Sequence, residues 1–118
     1  MAKVDFKDVK IEGITNAEKV LKEGIVTIIT TGKHHRFFYR YAFTDKGVWM
    51  RSKKGLFFKA REIFMSYTDI DAYKEVKYFT REGFVFFPKT GRPGNMLFFD
   101  DRDEVEIIIK KFFKKREK

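Results

Sequence analysis

The sequence predicts a mainly β domain, in which about seven antiparallel strands form a barrel and a single C-terminal α-helix follows. Short segments that alternate apolar and polar residues succeed one another from residue 25 to residue 100, separated by turns rich in Gly, Asp and Pro. This pattern is typical of antiparallel strands. After Asp100 the apolar spacing changes to the three- and four-residue steps of a helix. A meander of this length closes into a barrel or two packed sheets, whose open end an amphipathic helix can cover.

Length and composition fit one soluble domain. The 118 residues can bury a core without disulfides or metals, and we divide them into a lead-in with a short helix (1–24), the barrel (25–100) and the C-terminal helix (101–116). The chain has no Cys, no apolar run long enough to cross a membrane and no signal-peptide pattern. We therefore expect a cytoplasmic protein. Its abundance of Lys and Glu and its shortage of amides are typical of a thermophilic source.

The first elements are predicted from capping and alternation. Thr15 or Asn16 is expected to cap a short helix that ends at Gly24, and the β-branched run Ile25–Thr30 is expected to form a strand. The next stretch, KHHRFFYRY, combines cations with rings. Read with a period of two, the segment from Arg36 to Phe43 places four rings on one face and two arginines with one ring and one alanine on the other: Phe37, Tyr39, Tyr41 and Phe43 against Arg36, Phe38, Arg40 and Ala42. This arrangement predicts a half-buried strand.

The remaining elements follow in order. After a turn at Thr44–Gly47, strands are predicted over Val48–Lys53, Leu56–Tyr67 (bulged near Ala60), Ile70–Thr80, Phe84–Phe87 and Met96–Phe99, with a turn at Arg81–Gly83 and a loop at Lys89–Gly94. The predicted core comprises Phe37, Tyr39, Tyr41, Phe43, Val48, Met50, Met65, Phe84, Phe86, Leu97, Val105, Ile108, Ile109 and Phe112.

The C-terminal helix has the clearest pattern. Asp101 and Glu104 have the spacing of a capping box, and one helical face carries Val105, Ile108, Ile109, Phe112 and Phe113. Acidic residues at the start and cations at the end both complement the helix dipole. The same cations, concentrated between Lys110 and Lys118, could instead bind an anionic partner.

Two short motifs resemble those of bacterial pleckstrin-homology-like (PH-like) domains. TDKGVWM (Thr44–Met50) is similar to the hairpin and following strand of that superfamily, and MSYTDI (Met65–Ile70) resembles the segment between its fourth and fifth strands. The resemblance extends from Leu21 to Phe113 and implies a seven-stranded barrel capped by a helix. Members that bind phosphoinositides carry a Lys/Arg-x-Arg pair near the first loop. That pair is missing between Lys33 and Arg40, so the resemblance does not imply inositol phosphate binding.

The sequence favours a non-enzymatic protein without a cofactor or metal. His34 and His35 are adjacent, so in an extended segment their side chains point to opposite faces, and no Cys is available to complete a metal site. The acidic run at Asp100–Glu104 is explained by helix capping. The loop KTGRPG lies between two predicted strands and lacks the helix N-terminus that cradles phosphate.

The predicted function is a binding or assembly module. Candidate anion-binding residues are Lys33, His34, His35, Arg36, Arg40, Lys89 and Arg92, because a turn exposes N–H groups beside several cations; a solvated basic loop is the alternative. The expected ligand is an anionic phosphate or lipid headgroup. A protein partner or homo-oligomer is the other expectation, through an exposed strand edge or through Trp49, although core packing also explains Trp49. Nucleic acid is the less favoured alternative, because most rings alternate to one face.

Overall fold

The computed structural model describes residues 9–54, 57 and 59–115. Within those residues it contains seven antiparallel strands and one C-terminal α-helix, which confirms the predicted fold class. The elements are β1 (Val20–Ile29), β2 (Arg36–Thr44), β3 (Gly47–Ser52), β4 (Glu62–Ser66), a short 3-10 helix (Tyr67–Asp69), β5 (Ile70–Tyr78), β6 (Arg81–Pro88), β7 (Met96–Phe99) and α1 (Arg102–Phe112).

The strands form a single curled sheet in the order β4-β3-β2-β1-β7-β6-β5. The centre of this sheet is β1, because residues 26–29 pair with β2 on one side and with β7 on the other. The two outermost strands, β4 and β5, are consecutive in the chain but do not pair with each other. The sheet is therefore a half-barrel with an open seam between β4 and β5.

The concave face of the half-barrel holds the core, and most of the predicted core residues lie there. Ten of them are buried in one cluster: Tyr39, Tyr41, Phe43, Val48, Met50, Phe84, Phe86, Leu97, Val105 and Ile109. Met65, Ile108 and Phe112 are partly buried against it. The prediction for Phe37 was wrong, since this side chain is 47% exposed. Phe37 lies at the beginning of β2, opposite Ile28, at the end of the sheet away from α1.

Helix α1 is fixed to the half-barrel by apolar packing and by the residue that precedes it. Val105 and Ile109 are fully buried, and the ring of Phe112 stacks on Tyr67 at 4.2 Å between centroids. The Asp100 carboxylate accepts hydrogen bonds from the Tyr41 hydroxyl (2.8 Å) and the Ile25 N–H (3.0 Å). Burial, together with Asp100, raises the pKa of Tyr41 above its ordinary value. These contacts join the helix start to the middle of the sheet.

The predicted short helix before residue 24 was wrong. The chain turns at Asn16 and then enters β1 at Val20, so that the strand runs through Gly24. Gly24 does not end a helix. A Cβ at this position would collide with the Asp100 carboxylate and the Tyr41 hydroxyl, so glycine is needed for close approach. Pairing with β2 outweighs the weak local preference of this segment for a helix.

The predicted capping box was also wrong. Asp101 adopts a left-handed conformation (φ 47°) and its side chain makes no capping hydrogen bond. Asp101 and Glu104 instead both accept hydrogen bonds from the Lys22 ammonium of β1, at 2.7 and 2.6 Å. These hydrogen bonds raise the pKa of Lys22. The helix ends at Phe112, short of the predicted residue 116, and Lys115 then forms an isolated parallel bridge with Tyr73 of β5.

Two strand boundaries differ from the predicted ones. Of the long strand predicted over Leu56–Tyr67, only Glu62–Ser66 pairs, with β3; residues 55, 56 and 58 lie outside the described residues. The turn predicted at Arg81–Gly83 occurs earlier, at residues 79–80, where Phe79 has a φ of 55°. Arg81 therefore already belongs to β6, opposite Tyr78.

The segment before β1 crosses the convex face of the sheet and covers Trp49. The indole N–H of Trp49 donates to the Glu18 carboxylate at 2.9 Å, and the ring packs on Phe64 at 4.5 Å between centroids. Gly13 lies so close to the indole that a Cβ there would overlap it. Trp49 is therefore partly buried on the convex face and does not belong to the core cluster.

Candidate functional site: the basic loops and the seam

Backbone N–H groups of the turn between β1 and β2 form hydrogen bonds within the turn itself. The N–H groups of Lys33 and His34 donate to the carbonyls of Thr31 (3.2 Å) and Thr30 (3.0 Å), and the N–H of His35 donates to the Thr30 hydroxyl at 2.9 Å. Three N–H groups of the turn are therefore already hydrogen-bonded within the turn and are not free for an anion.

The predicted site residues around this turn do not form one cluster. Lys33, His34, His35 and Arg36 are exposed, and the ring of His34 packs edge-on against Tyr78 at 5.2 Å between centroids. Arg40 lies four residues further along β2 and contacts Glu23 at 3.4 Å. Because strand residues are spaced by ~3.3 Å, Arg40 is removed from the turn by roughly 13 Å. We therefore exclude Arg40 from the site.

The loop that carries Lys89 and Arg92 lies at the same end of the sheet as the turn. Ile29, the last residue of β1, pairs with Arg36 on one side and with Met96 on the other. The β1–β2 turn and the β6–β7 loop therefore leave the sheet side by side. Both Lys89 and Arg92 are exposed, and the Lys89 N–H donates to the Asp69 carbonyl at 3.0 Å.

A third basic segment at this end was missed by the sequence analysis. Ser52 at the end of β3 pairs with Tyr39, three residues into β2, so the β3–β4 connection also leaves the sheet at this end. It carries the exposed cations Lys54, Lys59 and Arg61, and between them Phe57, which is 86% exposed. Four cations within nine residues, Lys53–Arg61, were the available signal. Because this segment was predicted to be a continuous strand, these cations were not recognised as part of a basic connection.

Cations without carboxylate partners are concentrated on these three connections. Several cations on the strands and the helix do have such partners, as in Lys22–Asp101 (2.7 Å), Arg51–Glu62 (2.9 Å) and Arg102–Glu106 (3.0 Å), although Lys74, Lys77 and Lys111 form no ion pair with the described residues. No carboxylate among residues 9–54, 57 and 59–115 lies within ion-pair distance of the cations that we name the basic end: Lys33, Arg36, Lys54, Lys59, Arg61, Lys89 and Arg92. Positive charge at this end is thus not neutralised locally.

The convex face next to the turn carries exposed rings. Phe38 is 42% and Phe79 is 79% exposed, although alternation had suggested that most rings are buried. Between them, Arg81 lies over the ring of Phe98 at 5.2 Å and donates to the Thr27 hydroxyl at 3.4 Å. Thr27 pairs with both Phe38 and Phe98, so these side chains form a row across three strands. We name Phe38, Tyr78, Phe79 and Arg81 the ring patch.

A cavity of about 290 Å³ lies on the concave face, in the seam between β4 and β5. Its apolar lining comes from six elements and includes Ile28, Met50, Ile63, Met65, Ile70, Phe86 and Leu97. Asp69, Arg92 and Asn95 are the polar residues that line it. None of the turn residues 33–36 does so. Arg92 therefore faces the cavity as well as the basic end, whereas the turn does not share the concave surface.

Neither a metal centre nor a membrane span is visible in the part of the chain that the structure describes. No group of three or more His, Asp or Glu side chains there is placed to hold an ion. No described helix is both long and apolar enough to cross a bilayer. Comparison of the chain with protein-family models, with curated proteins and with solved structures found no match.

Proposed function

We propose that this protein is a non-enzymatic binding module that recognises a phosphate-bearing anionic surface, namely phospholipid headgroups, through its basic end. The observation that carries the proposal is the concentration of cations without carboxylate partners on three neighbouring connections. Side chains of this kind attract an anionic leaflet at about 1 kcal/mol per Lys or Arg near the surface. An extended surface can engage all three connections at once.

A lipid surface fits the geometry better than a single enclosed phosphate. The N–H groups of Lys33, His34 and His35 already form hydrogen bonds inside the turn, so these three groups are not available to cradle one phosphate. In addition, Phe57 projects into solvent between Lys54 and Lys59. An exposed ring flanked by cations matches the interfacial region of a bilayer, where aromatic side chains are favoured beside headgroups.

We also propose that the half-barrel is of the PH-like type. The support is the strand order with β1 shared between two sets of strands and the helix that covers one end. That type of fold does not determine a ligand. The functional proposal therefore rests on the charges and the exposed ring alone.

The first prediction tests the basic end with sedimentation of vesicles. Lys33→Glu combined with Arg36→Glu should weaken binding to phosphatidylcholine vesicles containing phosphatidylserine by at least about thirtyfold, since two attractions of about 1 kcal/mol each become repulsions. Vesicles without phosphatidylserine should not bind the native protein.

The matched control is Lys19→Glu combined with Lys46→Glu, which changes the net charge equally. These exposed residues lie at the opposite end of β2, where the Asp45 N–H donates to the Lys19 carbonyl at 3.0 Å. The control pair should bind the anionic vesicles within about threefold of the native protein. If both double variants lose vesicle affinity equally, net charge alone explains the effect, which contradicts a localised binding surface. If Lys33→Glu with Arg36→Glu binds the vesicles as the native protein does, the proposal is eliminated.

A second candidate function, binding of single-stranded nucleic acid, is favoured by the ring patch. Exposed rings beside an arginine are the arrangement on which unpaired bases stack, at about 1–3 kcal/mol per base. The second prediction is that Phe38→Ala and Phe79→Ala each weaken binding of an oligothymidylate about tenfold or more. Phe57→Ala, which removes an exposed ring outside the ring patch, should leave the affinity for the oligothymidylate unchanged. An affinity that does not fall with added salt would exclude this function, because phosphate contacts release counterions.

A further inference from the structure

In the part of the chain that the structure describes, no strand pairs with the seam side of β4. β4 is the last strand of the sheet order, and β3 is its one partner strand among the described residues. An unpaired strand side presents a row of N–H and C=O groups that can pair with another chain. β4 is short, but its five residues include the exposed ring of Phe64, and its inner face borders the cavity.

The register identifies which backbone groups face the seam. The Ser52 N–H donates to the Arg61 carbonyl at 2.8 Å, and the Tyr67 N–H donates to the Lys46 carbonyl at 3.3 Å. Hydrogen-bonded pairs alternate with non-bonded pairs along an antiparallel ladder. Odd-numbered residues from 61 to 67 therefore point their backbone groups toward β3, and Phe64 points its N–H and C=O toward the seam. The short distance between the Phe64 and Trp49 rings, 4.5 Å, is consistent with a non-bonded pair.

The cavity lies where an added strand would place its side chains. Ile63 and Met65 flank Phe64 and line the cavity, and both pack against the core. Residues of an added strand that lie opposite Ile63 and Met65 would point to the same face, because side chains of facing residues share a side of the sheet. Two apolar side chains, two residues apart, would then enter a space of about 290 Å³. The thioethers of Met50 and Met65 can adapt to their shapes.

The other side of the seam shows how an extended segment is held there. The Tyr73 N–H of β5 donates to the Lys114 carbonyl at 2.9 Å, and Lys115 forms a parallel bridge with Tyr73. The chain's own C-terminal segment thus already pairs with β5. Among the described residues, nothing pairs in the same way with the seam side of β4.

The charges around the seam restrict which kind of segment can bind there. Arg61 precedes β4, and Arg92 lines the cavity; neither has a carboxylate partner among the described residues. In the described part of the chain, the one carboxylate that lines the cavity is Asp69, which directly precedes β5. A second copy of this chain fits poorly, because pairing two β4 strands would bring together two molecules of net charge +9. We propose that the seam side of β4 binds an extended segment of another protein, with two large apolar residues two positions apart and acidic residues beside them. This site shares Arg61 and Arg92 with the basic end, but backbone pairing with β4 and filling of the cavity do not depend on the proposed lipid binding.

The test uses capped eight-residue peptides as probes. A library with Leu, Ile, Val or Phe at positions 3 and 5 and Glu, Thr or Ser elsewhere is selected on the native protein, and the affinities of the selected peptides are measured by the fluorescence of Trp49, which packs on Phe64. Phe64→Pro removes the N–H that faces the seam without removing a ladder hydrogen bond to β3. It should weaken binding about tenfold or more, whereas Phe64→Leu, which keeps the N–H, should stay within about threefold.

If Phe64→Pro does not fold, hydrogen exchange in the native protein tests the proposal instead. Bound peptide should slow hydrogen exchange of the Phe64 amide. Peptides methylated on the backbone nitrogens of positions 3 to 5 should neither bind nor slow that exchange. Failure to enrich any peptide, equal binding by the Pro and Leu variants, or unchanged exchange at Phe64 would overturn the proposal. If the native protein self-associates and Phe64→Pro abolishes this self-association, the seam side of β4 binds a second copy of the chain. That result would also overturn the proposal.

Discussion

Glu18 shows how one carboxylate can hold a segment without regular structure on a sheet. It accepts hydrogen bonds from the Trp49 indole (2.9 Å), the Thr44 hydroxyl (3.0 Å) and the Thr15 N–H (3.2 Å). Partial burial opposes ionisation of Glu18, but these hydrogen bonds outweigh it and hold its pKa below the ordinary value of 4.5. The carboxylate therefore links the segment before β1 to the ends of β2 and β3.

The third prediction follows from this lowered pKa. A carboxyl whose pKa is lower in the folded state stabilises that state above its unfolded pKa, and the contribution disappears as the pH falls through the folded pKa. Glu18→Gln should therefore lower the free energy of unfolding at neutral pH. The difference from the native protein should shrink as the pH falls below 4.5. Urea unfolding at a series of pH values measures it, and a difference that is independent of pH would contradict this role.

At the scale of single elements, alternation and periodicity predicted most of the fold. The rings of Tyr39, Tyr41 and Phe43 are buried as the period of two indicated, and Val105 and Ile109 are buried as the helical period indicated. The errors occurred where the local conformation depends on a residue that is distant in the sequence. Gly24 was interpreted as a helix end because Asp100, which needs its close approach, is far away in the sequence.

The start of α1 illustrates the same limit. The spacing of Asp101 and Glu104 matched a local capping motif, yet both carboxylates bind Lys22 on β1. A contact across most of the chain cannot be inferred from a four-residue pattern. The three basic connections were likewise brought together by the pairing of Ile29 with Arg36 and Met96, which the sequence pattern does not specify.

The fourth prediction compares two isoleucines on α1. Ile109 is fully buried against the core, whereas Ile107 is 71% exposed. Ile109→Ala should lower the free energy of unfolding by about 3 kcal/mol, because it removes buried methylene and methyl groups and leaves a cavity. Ile107→Ala, the same change on the same helix, should alter it by less than about 0.5 kcal/mol. Similar effects in chemical unfolding would mean that α1 does not pack as described.

At the scale of the whole molecule, the sequence predicted the number of strands but not how they close. A barrel was expected, and the half-barrel leaves its two outermost strands, β4 and β5, unpaired with each other. Closure depends on the curl of the sheet and on the direction in which the short 3-10 helix, Tyr67–Asp69, redirects the chain. These are properties of the assembled backbone, and the alternation of side chains within each strand does not encode them.

The double pairing of β1 has a consequence for the order of folding. β2, β3 and β4 join through successive hairpins, but β7 reaches β1 only when Val26 meets Phe99 from the far end of the chain. Closing so long a loop costs entropy before contacts compensate for it. We therefore expect the β1–β4 hairpins to be largely formed in the transition state, and β7 to dock afterwards.

The fifth prediction expresses this order as rates. Val48→Ala, in the hairpins, should mainly slow folding, whereas Leu97→Ala, in β7, should mainly accelerate unfolding. Both side chains are at least 95% buried, so each substitution should be destabilising enough to measure. Stopped-flow folding and unfolding in denaturant separates the two effects, and the reverse assignment would mean that the two ends of the chain meet first. In the order expected here, the strand that completes the sheet is also the one whose loss begins its unfolding.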